Sequence, residues 1–250
     1  MEVLGIDIGG TGIKGALVNT LTGELTTDRF RVDTPQPATP QSIAEAIVEM
    51  VEHFEWKGKP IGCGFPGVVH HGVAKTAANV DKAWIDLNVE SFFHEHTGCP
   101  VHVINDADAA GIAETLYGAA KEQSGLTLVL TVGTGIGSAF MYNGRLMPNT
   151  ELGHLKFKRG IAEHYAADSI RKLKDLSWRT WSRRLNDYLN HVYSLFYPDR
   201  IILGGGVSKK FDKIEPYLSV PCPILPASLK NLAGIIGAAV SASETFVTAS

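Results

Sequence analysis

The first apolar positions of the chain form two runs that are separated by a glycine-rich segment. Residues 4–8 and 13–18 are rich in Ile, Leu and Val, a composition typical of strands, and residues 9–12 between them read Gly-Gly-Thr-Gly. A second turn signal, Thr22-Gly23, follows the second run. The pattern therefore predicts a strand, a glycine loop, a second strand, a turn and a third strand.

The same pattern returns in the second half of the chain. Residues 128–132 and 136–140 are apolar, and residues 133–135 between them read Gly-Thr-Gly. The dipeptide Asn143-Gly144 comes next, and Asn-Gly between apolar runs is a strong hairpin signal. The repetition predicts two similar lobes, each opening with a hairpin whose glycine loop faces a ligand.

The remaining elements favour an α/β protein. Short apolar runs at residues 61–65, 101–104 and 200–203 predict buried strands. Apolar residues recur at helical spacing in residues 40–54 and 178–196, and further helices are expected at residues 89–96, 106–120, 162–173 and 232–246. In residues 178–196 the apolar stripe is core or a subunit interface. We predict an N-terminal lobe at 1–115 and a C-terminal lobe at 116–250.

Overall composition favours a globular protein of the cytoplasm. The chain has 250 residues, 44% of them hydrophobic, and no apolar run approaches the roughly 18 residues that a membrane span requires. A strand begins almost at once, so we expect no signal peptide. Three widely spaced cysteines argue against a disulfide framework and a zinc site. A net charge of −3 gives no indication of nucleic acid, and neither a nucleic-acid nor a membrane partner is expected.

Both glycine loops have the composition of phosphate-binding loops. Glycines allow positive φ and close approach of the backbone, so successive N–H groups can point at an anion. Lys14 adds a cation, whereas Asp7 suits Mg²⁺ that accompanies a phosphate. A plain tight hairpin is the alternative for either loop. The candidate phosphate ligands are Asp7, Gly9, Gly10, Thr11, Lys14, Thr131, Gly133, Thr134 and Gly135, with Gly205 and Gly206 in a third glycine turn after residues 200–203.

Polar residues that follow strands or turns are candidates for a second ligand. Asn105 and Asp106 end an apolar strand, where α/β sheets bind ligands, and Asp106 or Asp108 can also cap the helix that follows. Glu151 and His154 flank Leu-Gly, with Glu163 a short distance further along the chain. Asn79 lies in a loop with Trp84, which can form the wall of a sugar site or simply pack.

A basic segment stands out in this acidic chain. Residues 155–184 contain nine Lys or Arg and only three acidic residues, so they attract polyanions or form a solvated helix face. The candidate track for a long polyanion consists of Lys156, Arg171, Lys172, Arg179, Arg183 and Arg184.

Together these motifs resemble the ROK family of sugar kinases, within the actin/hexokinase superfamily. Asp7-Ile8-Gly9-Gly10-Thr11 with Lys14 resembles the first phosphate motif, residues 131–137 the second, and residues 204–207 the adenosine motif. The resemblance implies a two-lobed, actin-like ATPase fold, related to ribonuclease H, with duplicated βββαβα units and an interlobe cleft. It also implies that Asp106 is the catalytic base and that Asp106, Asn105, Glu151, His154 and Glu163 bind the sugar. Asn79 is a further candidate ligand of the sugar hydroxyls.

One departure from the family pattern points to a subgroup. No cysteine follows Gly153-His154 until Cys222, whereas typical members carry a zinc motif there. In this respect the chain is similar to polyphosphate-dependent glucokinases and glucomannokinases. The implied reaction is phosphorylation of glucose by inorganic polyphosphate with Mg²⁺ and without structural zinc, in a homodimer. ATP as donor and mannose as sugar stay open. A sugar-sensing regulator is the remote alternative, because its N-terminal DNA-binding helices are not expected here.

Overall fold

The computed structural model describes residues 1–78 and 80–247, which form two compact units. The first unit contains Met1–Ala113 and the C-terminal segment that begins at Leu232, whereas the second contains Glu114–Asn231. No helix within the described residues is both long and apolar enough to cross a membrane. Each unit is built on one mixed β-sheet covered by helices, so the predicted α/β class is confirmed.

The elements of the first unit are β1 (Glu2–Ile8), β2 (Ile13–Asn19), β3 (Glu24–Leu25), β4 (Phe30–Val32), α1 (Pro40–His53), β5 (Ile61–Phe65), β6 (Val69–His70), β7 (Val73–Ala74), α2 (Val89–Thr97), β8 (Val101–Asn105), the first two turns of α3 (Asp106–Leu116), and α7 (Ala233–Val247). Its sheet has the strand order β3-β2-β1-β5-β8, and β4 also pairs with β2. Strands β1 and β2 are antiparallel, whereas β1, β5 and β8 are parallel.

The sheet of the second unit repeats this arrangement with the order β11-β10-β9-β14-β15. Again the first pairings are antiparallel and the last two are parallel, so the predicted duplication is confirmed. Its elements are β9 (Leu126–Val132), β10 (Ile136–Tyr142), β11 (Arg145–Met147), β12 (Lys156–Phe157), β13 (Gly160–Ile161), α4 (Glu163–Ala166), α5 (Asp168–Leu173), α6 (Trp178–Phe196), β14 (Arg200–Gly204) and β15 (Ile224–Pro226).

Helix α7 packs on β1, β5 and β8 of the first unit through positions that have no side chain. A methyl group on Gly5 would lie 2.2 Å from the carbonyl oxygen of Ile235, and one on Gly62 would lie 2.0 Å from that of Ala238. On the helix itself, a methyl on Gly237 would lie 1.7 Å from the carbonyl oxygen of Ala109 in α3. Backbone therefore packs directly on backbone, and α7 belongs to the core of the first unit.

The structure corrects the predicted lobe boundary and one predicted helix, and it decides between core and subunit interface for the apolar stripe of α6. The division between units falls within α3, and the segment from Leu232 joins the first unit rather than the C-terminal lobe, because α7 covers the first sheet. The helix expected at residues 162–173 is broken at Ala167, whose ψ of 151° is extended. The apolar stripe of α6 is core, since Trp181, Leu185, Tyr188, Leu189 and Val192 are fully buried within the second unit.

Candidate functional site

The first glycine loop joins β1 to β2, as predicted, and carries an ion pair at its base. Asp7 and Lys14 are direct partners in the antiparallel register, and Nζ of Lys14 lies 3.7 Å from Oδ2 of Asp7. Burial raises the pKa of the Asp7 carboxyl, and the neighbouring Lys14 ammonium opposes that rise. A cation brought in with a phosphate would favour the ionised carboxylate at this position.

Two side chains that the sequence did not single out hold this loop. Oγ1 of Thr34 donates a hydrogen bond of 2.5 Å to the carbonyl of Gly9, and Nη2 of Arg31 donates one of 2.9 Å to the carbonyl of Thr11. The only sequence signal for them was their position shortly after the third strand. Gly9 and Gly12 do not have positive φ, so the expectation of left-handed glycines is wrong for this loop. Their role is close approach: a methyl on Gly12 would lie 2.6 Å from Nε of Arg31.

The start of α3 presents Asp106 while Asn105 holds the helix terminus. The side-chain oxygen of Asn105 accepts hydrogen bonds from the N–H groups of Ala107 and Asp108, at 2.9 and 3.1 Å. Its amide donates to the carbonyl of Gly67 at 3.0 Å, and the residue is buried. Asn105 therefore caps α3, a role predicted for Asp106 or Asp108. Asp106 stays partly exposed, and its Oδ1 accepts from the N–H of Ala107 at 2.8 Å.

The second glycine loop joins β9 to β10 in the second unit and is fixed from α5. The N–H of Gly133 donates to the carbonyl of Gly135 at 3.0 Å. Ser169 donates to this loop twice, from its backbone N–H to the carbonyl of Gly133 at 3.1 Å and from Oγ to that of Thr134 at 2.6 Å. As in the first loop, the φ angles of Gly133 and Gly135 are not positive. Thr131 lies in β9, two residues before this loop, and is partly exposed.

Glu151, His154 and Glu163 come together beside the second loop, as the sequence suggested. Nδ1 of His154 lies 3.3 Å from Oε2 of Glu151, and Nε2 lies 3.8 Å from Oε1 of Glu163. Burial and the charge of Glu163 raise the pKa of the Glu151 carboxyl, against the opposing effect of His154. The N–H of Ile136 donates to Oε2 of Glu163 at 3.4 Å, and a methyl on Gly135 would lie 2.6 Å from the same oxygen.

The backbone before Glu151 is anchored to β10. Oγ of Ser138 donates to the carbonyl of Thr150 at 2.6 Å and accepts from the N–H of Leu152 at 3.0 Å. Gly153 packs so closely on β10 that a methyl there would lie 2.2 Å from the carbonyl of Ile136. Glu151 and His154 are thus held on a rigid turn. Ser138 is buried in mid-strand, so its role could not be recognised from sequence.

The third glycine turn lies next to the second loop. Gly204 is the register partner of Thr131, because β14 and β9 are parallel neighbours and both end at this edge of the sheet. Gly205 has a φ of +75°, and a methyl there would lie 2.5 Å from the carbonyl oxygen of Val132. Gly206 is exposed, and a methyl on it would meet no atom within 4 Å. Two glycine turns of the second unit therefore line one edge, as the parallel strands require.

Some cations of the basic segment already have partners within the protein, so fewer of them can bind an anion than the composition indicated. Asp168 pairs with Arg171 at 2.7 Å and with Lys172 at 2.9 Å, and Arg171 also stacks on Trp178. Burial would raise the pKa of Asp168, but these two cations hold it below its usual range. The guanidinium of Arg184 lies 5.2 Å from the ring centroid of Tyr165. The remaining members of the track are exposed and make no ion pair with any described residue: Lys156, Arg179 and Arg183.

Asp7 is the residue that best fits a divalent cation. Mg²⁺ is typically held by one or two carboxylates together with substrate phosphates, and Asp7 supplies one carboxylate at the base of a phosphate-type loop. Within residues 1–78 and 80–247 no three His, Cys, Asp or Glu side chains group as metal ligands. The absence of a structural zinc stays a prediction. Asn79, the remaining candidate for the sugar, lies outside the described residues.

Comparison with known proteins places this geometry in a family. A model described as "ROK family" matches residues 3–169. The chain is 49% identical over 238 residues to the polyphosphate glucokinase of Mycobacterium tuberculosis (strain CDC 1551 / Oshkosh), covering 95% of this chain and 89% of that protein.

Solved structures show the same likeness. The inorganic polyphosphate/ATP-glucomannokinase from Arthrobacter sp. strain KM superposes with a TM-score of 0.94 at 48% identity, covering 98% of this chain and 99% of the other. A ROK family glucokinase from Streptomyces griseus, solved with glucose and AMPPNP, gives a TM-score of 0.83 at 25% identity, covering 98% and 100%. The predicted actin-like fold is thereby confirmed. The chain belongs to the ROK family.

Proposed function

We propose that this protein is a polyphosphate glucokinase, which transfers the terminal phosphoryl group of inorganic polyphosphate to the 6-hydroxyl of glucose. The contact between the second glycine loop and Glu163 carries the proposal, because a candidate ligand of sugar hydroxyls lies beside a phosphate-type loop within the same compact unit. Identity of nearly half to polyphosphate glucokinases along most of the chain supports the choice of donor and sugar.

Asp106 acts as the general base in this proposal. As the O6–P bond forms and the terminal P–O bridge breaks, the proton of the 6-hydroxyl moves to the Asp106 carboxylate, and the donor leaves one phosphate shorter. Asp106 is partly exposed at the carboxyl end of β8, and Asn105 fixes the helix on which it stands. Phosphoryl transfer depends chiefly on positioning and charge stabilisation, so one well-positioned carboxylate is sufficient to accept the proton of the hydroxyl.

In this proposal, carboxylates and an imidazole form hydrogen bonds with the ring hydroxyls of glucose. Glu151, His154 and Glu163 supply acceptors and a donor on the second unit, while Asn105 has most of its hydrogen-bonding capacity engaged inside the protein. We place Asn79 in this group as well. Asp7 would hold Mg²⁺, directly or through water, and the ion when bound neutralises donor phosphate oxygens.

Donor phosphates bind to the two glycine loops, and the exposed cations Lys156, Arg179 and Arg183 guide the rest of a long chain. Arg171 and Lys172 contribute less to this track, because Asp168 already neutralises them. ATP is a second candidate donor, favoured by the turn at Gly205 beside the second loop. A comparison of polyphosphate with ATP, each with glucose and with mannose, tests the proposal. Transfer from ATP alone would contradict it.

We also propose a homodimer in the cytoplasm. Leu195, Phe196 and Tyr197 at the end of α6 remain 50%, 39% and 70% exposed, which is apolar surface that a partner copy can cover. Light scattering on the purified protein tests the dimer, and a monomer at micromolar concentration would contradict it.

A further inference from the structure

Three charged side chains form a row across adjacent strands of the first unit. Lys14 on β2 is the direct register partner of Asp7 on β1 and of Arg31 on β4. Residues directly opposite in antiparallel strands project from the same face of the sheet. The order across the sheet is therefore carboxylate, ammonium, guanidinium, and Arg31 is its outer member.

Both cations of this row stand at the first glycine loop. A methyl on Gly9 would lie 3.9 Å from Nζ of Lys14, whereas a methyl on Gly12 would lie 2.6 Å from Nε and 2.8 Å from Nη2 of Arg31. Nη2 of Arg31 also donates to the carbonyl of Thr11 at 2.9 Å. The loop is thus flanked by one cation near its start and another at its end.

Two cations placed directly opposite on one sheet face destabilise the fold unless anions balance them. Asp7 faces Lys14, while Asp33 pairs with Nη1 of Arg31 at 2.7 Å. The Asp33 side chain is 84% exposed, and an exposed ion pair contributes little to stability. A phosphate group can therefore displace this carboxylate at low cost. A guanidinium has five N–H donors, enough to bind phosphate while still donating to Thr11.

We propose that Arg31 binds the phosphate chain of the donor together with Lys14, and so forms part of the donor site. The inference rests on the proposed function, since it assigns a ligand to Arg31 within the same reaction. Among the described residues, the polar contacts of the Arg31 side chain are with the first loop and Asp33, so we expect Arg31 to act on the donor and not on the sugar. It is a binding residue, and the proton transfer stays with Asp106.

Three substitutions separate a phosphate contact from mere support of the loop. Arg31→Ala removes both, Arg31→Gln keeps a donor for the Thr11 carbonyl without the charge, and Arg31→Lys keeps the charge. Arg29→Ala is the matched control, because Arg29 is exposed in the same segment and makes no ion pair with any described residue. KM for tripolyphosphate and for glucose is measured for each variant, and calorimetry measures tripolyphosphate binding without glucose.

We expect KM and Kd for tripolyphosphate to rise at least about tenfold in Arg31→Ala and Arg31→Gln, with KM for glucose unchanged. Arg31→Lys recovers part of the loss, Arg29→Ala matches wild type, and the salt dependence of donor binding becomes shallower wherever the charge is lost. Wild-type donor affinity in Arg31→Gln would overturn the proposal, as would equal changes for donor and glucose. A wild-type protein that binds tripolyphosphate but transfers nothing to glucose would instead overturn the proposed function.

Discussion

Gly135→Ala tests whether the second glycine loop fixes the position of Glu163, one of the proposed sugar ligands. The new methyl would lie 2.6 Å from Oε2 of Glu163, so the carboxylate must move. That movement breaks the 3.4 Å hydrogen bond from the N–H of Ile136 and the 3.8 Å approach to His154. Because the obstructing atom ends a flexible side chain, the strain falls on the position of the carboxylate and not on the backbone.

The expected effect on binding exceeds the effect on stability. A lost hydrogen bond between a carboxylate and a sugar hydroxyl costs about 1.5–3 kcal/mol, which raises KM for glucose about 10- to 150-fold. Moving Glu163 away from a preferred rotamer destabilises the fold by about 0.5–1.5 kcal/mol. Replacing a glycine that does not have a positive φ by alanine stabilises the fold by about 0.4–1 kcal/mol, because the unfolded chain loses conformational freedom. The melting temperature should therefore shift by no more than about 2–4 °C.

Steady-state kinetics with glucose varied at saturating donor measure the effect, and a double-mutant cycle identifies its route. Gly160→Ala is the matched control, since a methyl there meets no atom within 4 Å and Gly160 is exposed. If Gly135 acts through Glu163, adding Gly135→Ala to Glu163→Ala changes glucose KM no further. Additive effects of the two substitutions, or a wild-type KM in Gly135→Ala, would refute the reasoning.

Three other variants test the remaining parts of the site and of the fold. Asp106→Ala should lower kcat at least about 100-fold with an unchanged melting temperature, and near-normal turnover would remove Asp106 from the role of base. Arg179→Glu combined with Arg183→Glu should raise KM for long polyphosphate more than for tripolyphosphate, and equal effects on both would count against the track. Burial opposes the low pKa of Glu90, but hydrogen bonds from His102 and the N–H of Val103 hold it below its usual value. Glu90→Gln should therefore be less stable than wild type at neutral pH, by an amount that shrinks as the pH falls below the ordinary pKa of Glu and through the lowered pKa of Glu90. A pH-independent difference in melting temperature would argue against stabilisation through the Glu90 carboxylate.

Local patterns were sufficient to predict the two glycine hairpins. Apolar runs of strand length and the turn dipeptide Asn143-Gly144 act over a few residues, and both glycines at turns Thr22-Gly23 and Asn143-Gly144 have the positive φ that such turns require. The sequence also predicted the group formed by Glu151, His154 and Glu163, because these residues lie close together in sequence after the second hairpin. In each case the contacts join residues separated by short stretches of chain.

Long-range pairing explains what the sequence could not show. Arg31 reaches the first loop only because β4 pairs with β2, and Asn105 caps α3 while donating to Gly67 some forty residues earlier. The basic segment was overestimated for a related reason: composition counts Arg171 and Lys172 but does not show that Asp168 binds both. A count of charges describes the composition of a segment. The electrostatic field around that segment depends on which charged side chains the fold pairs with one another.

The glycine contacts of α7 have a consequence for the order in which the protein matures on the ribosome. Strands β1 and β5 are translated before the second unit, yet the helix that seals them against water is translated after it. The second unit is continuous in sequence and has all its parts as soon as residue 231 has emerged. We therefore expect the later-translated half to acquire protease resistance before the half that was translated first. Nascent chains stalled before residue 233 should leave the first glycine loop unprotected against proteolysis.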